Sequence, residues 1–283
     1  MKLVVNIFLI ISYLSFNAQS LKEIENKLIH QLEFVHYEKD KKKALSINED
    51  FKDLLEKSLK NKELFNYNFD SLSKFMSTVK SPDNYFRIFN WNIELDNQKQ
   101  HYDCWIVFND NTIIKLKDDE RNIPNLEFTS LNNNNWFGAL YFDIIPVKKK
   151  NKTIYTLLGW DGNDMFSNKK VIESMTINKK NKIQFGNSIF KYPDGKTKKR
   201  VIFQYNKKSY MSLKHNKIRK ENYIVFDHLT PTSPHLKDFP DWYVTDLSFD
   251  AFKWDENKWI YINDFDAKSL KILRKPFNDP TKN

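Results

Sequence analysis

The sequence predicts an α+β chain that is mainly β, with an N-terminal helical segment packed on a single antiparallel β-sheet domain, a curled meander of barrel- or propeller-like character. Three observations predict this. Apolar residues recur at helical spacing between Leu21 and Val79, and the period then changes to two from Tyr85 onward. Apolar runs follow one another about every ten to fifteen residues, separated by Asn, Lys, Asp and Gly, without the intervening helical pattern that βαβ units need. Finally, 23 Phe, 13 Tyr and 7 Trp supply enough buried area for one sizeable core, while the single cysteine allows no internal disulfide.

Residues 1–20 read as a cleaved export signal. Lys2 precedes the apolar run Leu3–Ile11, which Ser12 and Ser15 interrupt before it could span a bilayer, and Ala18 and Ser20 are small residues at the minus-three and minus-one positions of a cut after Ser20. This implies a periplasmic or secreted location and no transmembrane span after cleavage.

Within the helical segment, 21–80, Leu21, Ile24, Leu28, Leu32 and Val35 mark one amphipathic helix. After a polar break at Lys39–Lys43, Asn48 is a candidate N-cap for a second helix with Phe51, Leu54, Leu55 and Leu59 on its apolar face. Leu72, Phe75, Met76 and Val79 suggest a third, short helix, and the turn residues Ser81-Pro82-Asp83-Asn84 close the segment.

The β domain, 81–274, opens with the alternating run Tyr85–Ile93. Cys104–Phe108 and Ile113–Leu116 follow, then the polar loop 117–135, which ends in four asparagines. Further runs lie at 136–147, 153–158, 182–190, 200–205, 210–213 and 223–227. The proline-rich stretch Leu229–Asp241 is unsuited to a central strand, and a final hairpin joins Phe249–Trp254 to Lys258–Ile262 through Asp255-Glu256-Asn257. Residues 275–283 form a loose tail. Cys104, set inside a strand, reads as a small core residue.

One stretch stands apart. Two of the chain's five glycines flank a Trp-Asp pair in Leu158-Gly159-Trp160-Asp161-Gly162-Asn163-Asp164. Asp-Gly-Asn favours a tight turn after the strand, followed either by a short helix capped by Ser167 or Asn168 or by a strand through Val171-Ile172. Trp160 is a half-buried plug in the plainer reading. In the sharper one Trp160, Asp161, Asn163 and Asp164 form a cation or polar-ligand site, although the spacing and closing glutamate of a helix-loop-helix calcium site are missing. Arg87, inside the aromatic run Phe86–Trp91, either braces the fold or forks onto an acidic group such as Asp83 or Asp161, with Trp91 beside it as a ligand-contacting aromatic.

Ser81-Pro82-Asp83-x-x-Phe86-Arg87-Ile88-Phe89-x-Trp91, Leu158-Gly159-Trp160-Asp161-Gly162-Asn163 and the closing Phe-x-Trp hairpin with Lys258-Trp259 resemble an uncharacterised, exported, β-rich family of Bacteroidota. The Asn- and Lys-rich, Gly-poor composition is similar to that group's AT-rich members. The resemblance spans roughly residues 75–265 and implies export and a β-rich fold. The family has no established activity.

The formal net charge is +10, with lysines clustered at 148–150, 179–180, 198–200, 207–208 and 217–220. Each cluster falls between apolar runs, as solvated hairpin tips do, and aromatics are not interleaved with them as on a nucleic-acid platform, so no nucleic-acid partner is expected. The six histidines show no metal-ligand pairing, and no nucleophile elbow or phosphate-cradling glycine loop occurs. Asp227-His228, with Ser233 and His235, is the best local acid-base group, but it also fits a strand end entering a polar loop. The sequence thus assigns no catalytic residue, metal ligand or cofactor. It points to a non-catalytic binding module that contacts an envelope protein or glycan through exposed Trp and Tyr. The alternative is a hydrolase of envelope or extracellular polymer using the Asp161–Asp164 loop, with Glu173 as a further carboxylate.

Overall fold

A computed structural model describes residues 2–118 and 123–266, with the backbone alone for 2–19 and 97. The expected tail, 275–283, lies outside the described residues, as do the side chains of the expected signal before Ser20. The fold is α+β and mainly β, with two helices at the N-terminus and several largely antiparallel sheets, one of them a curled half-barrel. The chain divides into two compact units, 1–118 and 119–283.

The first unit contains α1 (Lys2–Tyr37), α2 (Lys41–Ser58) and the sheet β1–β2–β3–β4, with strands Ser77–Lys80, Phe86–Glu94, Gln100–Phe108 and Ile113–Leu116. Leu28, Leu32 and Val35 of α1 are buried against Ala44, Phe51 and Leu55 of α2 and against Phe89, Trp91, Trp105 and Val107 of the sheet. Asp40, not Asn48, begins α2. Its carboxylate accepts the backbone N–H groups of Lys42 and Lys43, which satisfies first-turn donors, so the polar stretch at Lys41–Lys43 is already helical. Asn48 lies inside the helix and is buried. The expected third helix shrinks to a 3-10 turn at Leu72–Lys74, because β1 draws the following residues into the sheet, where Val79 faces Ile88.

The second unit packs two sheets face to face. In one the strand order is β5–β9–β8–β7–β6 (Leu131–Asn132, Ile183–Phe185, Ser167–Ile177, Lys152–Asp161, Leu140–Lys149), and β12 (Arg200–Asn206) pairs with the first half of β8. In the other the order is β11–β10–β16–β15–β14–β13 (Thr197–Lys198, Phe190–Lys191, Lys258–Ile262, Tyr243–Asp255, Glu221–Pro231, Leu213–Ile218). Ile145, Leu158, Ile172 and Val201 of the first sheet meet Phe190, Ile224, Phe226, Phe252 and Trp259 of the second in one core, and the Trp259 indole N–H reaches Thr156 Oγ1 across it at 2.9 Å.

The expected closing hairpin is β15–β16, with Trp254 opposite Trp259. β10 pairs in parallel with β16, the one departure from antiparallel pairing in these two sheets among the described residues. Leu229–Pro231 extends β14 into the proline-rich stretch, where Pro231 ends the strand and so interrupts no ladder. Among the described residues no helix is long and apolar enough to cross a membrane.

Candidate functional site

The Gly159–Asp164 stretch is more strand than turn. β7 continues through Gly159, Trp160 and Asp161, which pair with Val171, Lys170 and Lys169 of β8. Gly159 is therefore required by space: a Cβ there would lie 2.7 Å from Val171 Cγ1 and 3.0 Å from a Tyr141 ring carbon. The left-handed position of the turn belongs to Asn163, with φ 45°. Beyond the turn the chain enters β8 directly.

Inside this turn the side-chain oxygens are largely committed. Asp161 Oδ1 accepts the Asn163 N–H at 2.7 Å, and Lys169 Nζ stands 3.6 Å from its other oxygen. Asp164 Oδ1 accepts the N–H groups of Phe166 and Ser167 at 2.9 and 3.0 Å, while the Asn163 amide donates to Asp164 Oδ2 and Ser167 Oγ. Where a metal ion would approach the carbonyls, a lysine does so instead: Lys207 Nζ donates to Gly162 O and Asp164 O, each at 2.9 Å. Among the described residues no group of His, Cys, Asp and Glu has metal-holding geometry. Trp160 is half-buried and its side chain hydrogen-bonds to Tyr205, whose hydroxyl burial pushes up to about 12 against that donation.

Arg87 and Trp91 lie in the first unit, Trp160–Asp164 in the second. Arg87 is buried, and its guanidinium donates to the carbonyls of Leu64, Phe65, Tyr67 and Thr78 and to the Thr78 hydroxyl, within cation-π distance of the Phe69 and Phe89 rings. It braces β1 and the turn before it, and burial pulls its pKa down to about 10. Trp91 is fully buried. Its indole N–H donates to Asn48 Oδ1 at 2.8 Å, and the Asn48 amide donates to Asp103, which Lys52 also approaches at 2.9 Å. These contacts are internal to the core, and neither residue presents a surface to a ligand.

Two buried clusters escaped sequence reasoning because their members are far apart in the chain. Glu173 and Arg200 face each other across β8 and β12, both fully buried; Arg200 Nε donates to Glu173, and its Nη1 donates to Leu126 O and Thr129 O. Burial outweighs Arg200 and raises the Glu173 pKa. Asp250 is the second centre. It accepts from the Tyr261 hydroxyl and the Asp264 N–H and lies 2.7 Å from His228 Nδ1. His228 thus pairs across the sheet with Asp250, whereas its sequence neighbour Asp227 accepts the Ser212 N–H at 2.7 Å. The irregular register between Asp227 and Leu229 puts His228 at that position.

Several exposed large side chains lie at one end of β8 and β12. Met165 (50% exposed) and Phe166 (61%) form the tip of the β7–β8 turn. Asn206 pairs with Ser167, and the chain beyond it bears Tyr210 (75%). Asp241 is tied to the same end: the Gln204 amide donates to its carboxylate at 2.6 Å and the Asn206 amide to its carbonyl at 2.8 Å, which brings Phe239 (57%) and Trp242 (52%) alongside. The glycine turn and the proline-rich loop therefore share a rim. The polar loop before β5 lies at the other end of β12, where Glu127 Oε1 accepts the Ile202 N–H.

No known protein family, curated protein or solved structure matches the chain.

Proposed function

We propose that the chain is an exported, periplasmic or secreted binding protein of the cell envelope, and that the rim formed by Met165, Phe166, Tyr210, Phe239 and Trp242 is its contact face. The observation that carries this reading is the contrast between the rim and the groups beneath it. Five large apolar side chains, each at least half exposed, stand on three loops at one end of the unit. Exposed apolar clusters of this kind mark interaction surfaces. The carboxylates that hydrolysis would require are already engaged: Asp164 with its own backbone, Glu173 with Arg200. Such commitment favours binding over acid-base chemistry. The basic start, short apolar run and small residues before Leu21 support export.

The test is capture from an envelope extract with the full chain as bait, in parallel with a Phe166→Ser/Trp242→Ala variant. The proposal expects an envelope component to be retained by the first and lost by the second. Equal retention by both would remove the rim from the account, and hydrolysis of envelope polymer abolished by Asp164→Asn would overturn it in favour of an enzyme.

A further inference from the structure

We infer that this rim docks on the surface of an anionic phospholipid membrane, an inference that rests on the binding reading above and names the component bound. The chemistry of the β7–β8 tip carries it. A loop tip that dips below the headgroups is favoured when its backbone polar groups already have partners, since the apolar region offers no water to supply them. Here much of the backbone on either side of Met165 has partners: Lys207 Nζ caps the carbonyls of Gly162 and Asp164, Asp164 takes the N–H groups of Phe166 and Ser167, and the Phe166 carbonyl accepts the Lys207 N–H. What the tip offers outward is Met165 and Phe166.

The neighbouring proline-rich loop is built similarly. The N–H of Leu236 donates to Ser233 O, that of Phe239 to Leu236 O and that of Trp242 to Phe239 O, while the Tyr243 hydroxyl donates to Lys237 O. Its outward groups are Phe239 and Trp242.

Residue type and charge select the occupant. Met and Phe suit insertion below the headgroups; Trp and Tyr, each apolar with one polar atom, suit the interface itself. Exposed Lys208 and Lys237 each precede an aromatic by two residues, Tyr210 and Phe239, so each of these two loops carries a basic side chain that anionic headgroups would favour. Asp238, also exposed, offsets part of that charge. A glycan platform would use Trp and Tyr with free amides and carboxylates around them. At this rim the Gln204 and Asn206 amides and Asp241 are spent on one another.

Vesicle co-sedimentation tests this with the full chain as the producing cell processes it, its N-terminus read by mass spectrometry. Vesicles of phosphatidylglycerol and phosphatidylcholine in equal parts are compared with phosphatidylcholine alone. The expected result is sedimentation with the anionic vesicles, weakened about tenfold or more by Met165→Ser/Phe166→Ser. Lys208→Ala/Lys237→Ala is expected to lose the preference for anionic lipid. Both pairs are exposed, and an unchanged thermal melt verifies their folding. No sedimentation, or equal sedimentation of wild type and the Met165/Phe166 variant, overturns the inference. If vesicles fail while an envelope protein or glycan is captured through the rim, the binding reading stands without the membrane; if both assays fail, both fall.

Discussion

Lys207 holds Asp164 by its backbone: the ammonium reaches the Asp164 carbonyl at 2.9 Å and the Gly162 carbonyl at the same distance. The turn that looked most like a ligand site is thus closed by a cation from its own chain. Lys207→Met leaves two carbonyls without their charged donor and should cost about 1–3 kcal/mol, read as a lower midpoint in urea.

Asp164→Ala gives a second measure of the same turn. The carboxylate takes two backbone N–H groups, as a capping residue does, so its removal should lower stability by about 1 kcal/mol. A ligand-binding aspartate of no structural role would leave the melt unchanged, so the denaturation curve separates the two roles.

Gly159→Ala should be more damaging than its size suggests. The new methyl group would stand 2.7 Å from Val171 Cγ1 inside a packed layer, and overpacking of that kind costs about 1–3 kcal/mol. Thermal unfolding of the variant checks it, and Val171→Ala in the same chain should relieve part of the loss.

Glu173→Gln should be among the most destabilising single changes in the second unit, by about 3–5 kcal/mol, because it strands the Arg200 charge in the core. Replacing both residues by apolar ones of similar size should recover much of that, and a double-mutant cycle measures the recovery.

Acid should weaken the first unit through Glu25. Burial works to raise its pKa, but donors from Lys22, the Leu72 N–H, the Tyr67 hydroxyl and the Ser71 N–H outweigh it and hold the carboxyl below its ordinary value near 4.5. A carboxyl depressed in the folded state stabilises the fold above its unfolded value, and that contribution is lost as pH falls through the folded one. Stability should therefore decline below about pH 4.5, and Glu25→Gln should flatten the decline. Urea midpoints over a pH series would show it.

Much of the architecture was legible because it rests on local patterning. The helical stripe Leu28–Leu32–Val35, the alternation through Phe86–Trp91 and the closing hairpin are each written in consecutive residues. Asn48 misled because a side chain able to cap a helix is equally able to hydrogen-bond Trp91 and Asp103 within a core, and only tertiary neighbours decide between these. Arg87 and Trp91 looked like recognition residues for the same reason: burial turns their polar atoms inward. The rim was half readable. Its aromatics and both loops are in the sequence, but the Gln204–Asp241 and Asn206–Asp241 hydrogen bonds that bring them together join positions 37 and 35 residues apart. His228 found its carboxylate 22 positions away rather than next door.

The place of β16 has a consequence for the order of assembly. Although it comes last among the described strands, it is interior to its sheet, flanked by β10 on one side and β15 on the other. The four strands of the first unit are all present once Leu116 has been made, whereas the second sheet of the other unit lacks a middle strand until Ile262. A growing polypeptide can therefore complete the first sheet while the other waits for Ile262, and cutting the chain before Lys258 would divide that sheet in two instead of trimming its margin.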